Sequence, residues 1–144
     1  MKRLFIWTIL VSVFLFPIIE VSASSIDCPD VNKLEQTSLE DKQEFLKALE
    51  TIIPEMYGSD EDADKYGEWK IITATPFPKT VGVFRDDIYR RIAANYCGED
   101  VSSKSWLARI YFPKWEGVSS SLSQGQLFLA KNEEQGWFVW FCYH

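Results

Sequence analysis

Apolar positions recur every three or four residues from Phe45 onward: Phe45, Leu46, Leu49, Ile52, Ile53 and Met56 share a face, and Lys42, Glu44, Lys47 and Glu50 fill the others. That spacing predicts an amphipathic helix. Thr37-Ser38-Leu39-Glu40 stands ahead of it as a capping box, with Pro54 to bend or end it and Gly58 to close it. A second, shorter helix is expected from Asp86 and Asp87, which can cap a face of Ile88, Tyr89, Ile92, Ala93 and Tyr96 and stop at Gly98.

The period changes to two elsewhere. Trp69 to Phe77 is rich in β-branched and aromatic residues between Gly67 and two prolines, and Trp106 to Phe112 alternates until Pro113. Gln126 to Ala130 and Trp137 to Tyr143 predict two further strands, joined as a hairpin through the polar segment Asn132 to Gly136. The last run, Trp-Phe-Val-Trp-Phe-Cys-Tyr, is apolar or aromatic on both faces and is therefore expected to be a central strand. Ser59 to Glu68 reads as an acidic loop and Lys114 to Ser123 as a Gly- and Ser-rich connection.

Helix, strand, helix and three strands make an α+β layout: a curved antiparallel sheet of about four strands covered by two helices on one face. The order resembles NTF2-like or cystatin-like cones by analogy of layout alone, and such folds serve many functions.

The N-terminus changes the picture of where this domain works. Lys2 and Arg3, an apolar stretch from Leu4 to Ile19 and the ending Val21-Ser22-Ala23 form the three parts of an export signal. The stretch is short of the ~20 apolar residues that span a bilayer, and Pro17 and Glu20 interrupt it. Residues 1–23 are thus expected to be removed near Ala23, leaving no stable membrane anchor, an arm at 24–36 and one domain over 37–144. The chain carries 21 acidic against 15 basic residues, net −6, and cleavage removes more basic than acidic charge. Such a surface repels phosphate backbones, so nucleic acid is not an expected partner.

Export also bears on the three cysteines, Cys28, Cys97 and Cys142, because disulfides persist outside the cytoplasm. An odd count allows one internal bond, expected between Cys97 and either Cys28 or Cys142.

Chemistry-bearing motifs are sparse. Asp60-Glu61-Asp62-Ala63-Asp64 opens like a calcium loop, but Lys65 and Ile71 stand where the sharp turn and the bidentate ligand belong, so no metal site is expected. Cys142 and His144 share a face in a strand, yet a histidine at the chain end lacks the third group that orients a catalytic base. No cofactor motif is present, and no catalytic residue is assigned. Trp115, after Pro113-Lys114 in the expected loop, is the residue assigned to ligand contact, since loop aromatics serve binding more readily than packing.

These features point to a secreted, non-enzymatic binding module for a protein, peptide or cell-wall ligand. Two alternatives are a small secreted hydrolase whose site assembles only in the fold, and a secreted inhibitor or immunity-type protein.

Overall fold

The structure, a computed structural model, describes residues 26–59, 61–77 and 84–143, with 84–87 in backbone only. The helices are α1 (Lys42–Tyr57), α2 (Ala63–Tyr66) and α3 (Phe84–Ser103), and the strands are β1 (Lys70–Pro76), β2 (Trp106–Tyr111), β3 (Gln124–Asn132) and β4 (Gly136–Tyr143). All four strands pair antiparallel in chain order, β1-β2-β3-β4. The α+β class is as expected, and two details of the layering differ.

First, the helices lie on opposite faces of the sheet. Side chains alternate across a strand, so Trp106, Ala108 and Ile110 of β2 meet Phe45, Leu49, Ile53 and Tyr57 of α1. Leu107 points the other way, to Ala93, Tyr89 and Ile92 of α3. Second, β4 is an edge strand, not a central one. Its two apolar faces arise because both layers reach it: Trp137, Val139 and Cys142 pack on the α1 side, and Phe138, Trp140 and Phe141 on the other. Covered faces say nothing about how many strand neighbours a strand has.

The cap of the first helix is shifted by one residue from the expected box. Ser38 begins a 3-10 turn over Leu39–Asp41, its hydroxyl accepting from the Glu40 backbone N–H at 3.2 Å, while the Asp41 carboxylate accepts from the Ser38 backbone N–H at 2.7 Å. Thr37 is occupied instead as the acceptor of the Trp106 indole N–H, at 2.8 Å. From there α1 runs a turn past Pro54 and closes at Gly58, whose N–H donates to the Pro54 carbonyl. The helix expected from Asp86 and Asp87 is α3, which begins at Phe84, so both residues lie inside its first turn, and its helical path breaks at Gly98, which has φ 85°. Only a residue without a side chain holds that conformation easily.

The described part of the arm packs on the domain. Leu34 buries itself against Val101 and Ala130, Glu35 donates its N–H to the Lys131 carbonyl, and the Lys104 ammonium donates to the carbonyls of Val31 and Leu34. A Cys28–Cys97 disulfide joins the arm to α3, which resolves the expected pairing of Cys97 in favour of Cys28 and leaves Cys142 as a thiol.

Candidate binding surface

The strand β4 carries no charged residue and no proline from Gly136 to Tyr143. Its approach is fixed by a three-residue turn: the Asn132 side chain accepts from the Gln135 N–H at 2.7 Å, and Gly136 takes φ 70°. The ladder with β3 is regular from Asn132↔Gly136 to Leu129↔Val139, then shifts at a bulge that leaves Trp140 extra. Among the described residues nothing pairs with the outer side of β4.

On one side α1 runs beside this strand, since Phe45 near its start touches Trp137 and Tyr57 at its end reaches Cys142. The outward stripe Glu44, Ala48, Thr51 and Glu55, at helical spacing, leaves a groove of about 530 Å³ against Gln135 and Trp137. Trp137 is only 7% exposed and stacks edge-on against Phe45 and Trp106, with its indole N–H buried and without an acceptor among the described residues. The groove is acidic: Glu44 pairs with Lys131 at 3.0 Å, whereas among the described residues Glu50 and Glu55 make no ion pair and Lys47 is the one cation of the lining. On the opposite side Tyr96 stands 53% exposed with its ring 5.0 Å from Phe141, and Tyr143 stands 43% exposed beyond it.

Trp115 is elsewhere and corrects its expected exposure. Pro113 starts a 3-10 turn, the Trp115 N–H returns to the Phe112 carbonyl, and the indole is turned inward to 4% exposure beside Tyr66. The Lys65 ammonium covers the ring at 4.2 Å. The residue belongs to the core cluster under α1.

The acidic segment is likewise not the open loop expected. Part of it forms α2, the Asp62 carboxylate is taken by Lys65 at 2.7 Å, and the Asp64 carbonyl accepts from Lys114. Asp60 lies outside the described residues, and among those described no three His, Cys, Asp or Glu side chains are grouped to hold a metal.

Cys142 meets the Tyr57 hydroxyl at 3.8 Å under α1. Burial pushes the Tyr57 phenol far above its usual range, with Cys142 adding to the shift. Burial also raises the Cys142 thiol, against an opposing effect of the Tyr57 hydrogen bond. A thiol kept protonated is a poor nucleophile. His144, its expected companion, lies outside the described residues.

The groove and the open edge were missed in the sequence because Glu44, Lys47 and Glu50 only fill the polar faces of an amphipathic helix there. No local pattern marks which strand ends a sheet. Among the described residues no helix is long and apolar enough to cross a membrane. No protein-family model, curated protein or solved structure matches the chain.

Proposed function

We propose that this protein is an exported, non-enzymatic binding module that recognises a protein or peptide partner through the β4 side of its sheet. One observation carries the reading: the outer edge of β4 is uncharged and unpaired among the described residues, between an acidic groove and exposed aromatic rings. Sheet edges that meet only water are normally blunted, because a row of free N–H and C=O groups invites another chain. Export is supported by the basic, apolar and polar parts of residues 1–23, and by a disulfide that needs an oxidising compartment. The hydrolase alternative draws no support from Cys142, whose thiol is held protonated by burial.

The test places a photo-crosslinking amino acid at Tyr143, next to the open edge, and separately at Ile72, on the opposite edge of the sheet. Exported protein is irradiated in culture supernatant and cell-wall extract. The reading expects a protein conjugate from position 143 and none from position 72. Conjugates formed equally at both positions, or only at 72, would overturn it.

A further inference from the structure

The reading above names a surface, and the details of that surface specify what fits it. This inference rests on that reading and adds the mode of binding and the chemistry of the partner. We infer that β4 accepts an extended segment of another protein as a fifth strand, with basic residues toward α1 alternating with apolar or aromatic residues toward α3.

The backbone comes first. Over Gly136–Val139 the pairing with β3 is regular, so the outward amides and carbonyls of this stretch are spaced as a strand template before the bulge at Trp140 bends the edge. An entering chain that pairs here places successive side chains on opposite faces of the sheet. Half of them fall beside the α1 stripe, where Glu50 and Glu55 make no ion pair among the described residues and Glu44 is paired with Lys131. Lysine or arginine suits that side, with its apolar stem along Ala48 and Thr51 and its charge at the carboxylates.

The other half of the side chains fall on the α3 side, beside Phe138, Phe141 and the exposed ring of Tyr96. Aromatic or branched apolar residues match that strip. Main-chain bonds supply the attachment and the two unlike flanks supply the choice of partner.

Charge decides between a foreign strand and a second copy of this chain. Pairing β4 with β4 around a two-fold axis would set the two α1 stripes on the same face of the joined sheet, each with its own glutamates. With a net charge of −6 per chain, the two copies would repel where they meet. A basic segment gains from the same field.

The full exported protein, disulfide intact, is titrated by fluorescence anisotropy with three labelled eight-residue peptides. These are alternating Lys-Val, alternating Glu-Val, and Lys-Val with N-methyl groups on every second amide. The first should bind saturably, and each of the others should bind about tenfold or more weakly, since one lacks the charge and the other the pairing N–H groups. In the Glu50→Gln/Glu55→Gln protein, whose changes are exposed and leave the core intact, the Lys-Val affinity should fall several-fold and lose much of its dependence on salt.

Equal binding of the methylated peptide would overturn strand pairing. Equal binding of Glu-Val would overturn the basic preference, and failure of Lys-Val to bind would overturn the inference as a whole. If the crosslink at position 143 still forms while the peptide fails, the binding-module reading stands and only the strand mode falls. If that crosslink is also absent, the reading itself falls.

Discussion

The two edges of this sheet are built differently. At β1 the exposed Lys70 opens the strand, a register shift between Ile71 and Thr73 breaks its ladder, and Pro76 closes it without an N–H. Those are three devices that discourage pairing with another chain. At β4 the faces are covered by α1 on one side and by α3 and the arm on the other, and the edge carries only a bulge, with no charge and no proline. The side chains of β4 are therefore anchored in the core while its backbone edge is guarded only by the bulge at Trp140, which leaves Gly136–Val139 open to a partner strand.

The sharpest contrast between the edges is in what their side chains hold. Trp137→Ala should destabilise the protein by about 3 to 5 kcal/mol, because it empties the contact with Phe45 and Trp106. Ile72→Ala, at a residue 47% exposed on β1, should stay within about 0.5 kcal/mol. Urea unfolding of both variants measures the difference, and equal losses would remove the asymmetry.

The disulfide fastens the arm to the α3 layer that covers β4. With its cysteines 69 positions apart in the chain, Cys97→Ser should lower stability by up to about 4 kcal/mol while unfolding stays cooperative. Thermal melts of wild type and variant check this. Non-reducing peptide mapping that found Cys97 paired with Cys142 would contradict the placement of the arm.

A smaller loss is expected where α1 meets the sheet beside the end of β4. A Cβ on Gly125 would sit 2.5 Å from the Tyr57 hydroxyl, so Gly125→Ala should cost about 1 to 3 kcal/mol through overpacking. Adding Tyr57→Phe, which removes that oxygen, should recover part of the loss in a double-mutant cycle. Strictly additive losses would mean that the two residues do not meet.

The smallest effect is on pH dependence. Burial raises both the Tyr57 and Cys142 pKa values above those of the unfolded chain. Their contribution to stability is therefore complete below the ordinary thiol range and declines as pH rises through 9.0 and beyond, where the unfolded chain ionises first. Cys142→Ala should flatten that decline in a chemical-denaturation series across alkaline pH. An unchanged slope would place the titration elsewhere.

Much of this architecture was legible in the order of residues. The three- and four-residue recurrence from Phe45 marks α1, and the alternations around Ile71, Ile110 and Phe128 mark three strands, because periodicity records burial directly. What failed was non-local. The apolar run of β4 resembled a central strand because burial of both faces is what a sequence records, and strand order depends on pairing across the chain. Trp115 looked exposed because a Pro-Lys-Trp segment carries no sign that its turn points inward onto Tyr66. The acidic groove left no signal at all, since Glu50 and Glu55 differ from other surface glutamates only in what lies beside them.

Amide hydrogen exchange on the full protein, with and without the alternating Lys-Val peptide, tests the proposed docking role of β4 most directly. In the free protein the amides of Gly136–Val139 that do not bond to β3 should exchange fast. Saturating peptide should slow them by about tenfold or more, and leave the Lys70–Pro76 amides of β1 unchanged. Slowing confined to β1, or no change in β4 at saturation, would contradict the assignment of β4 as the docking edge.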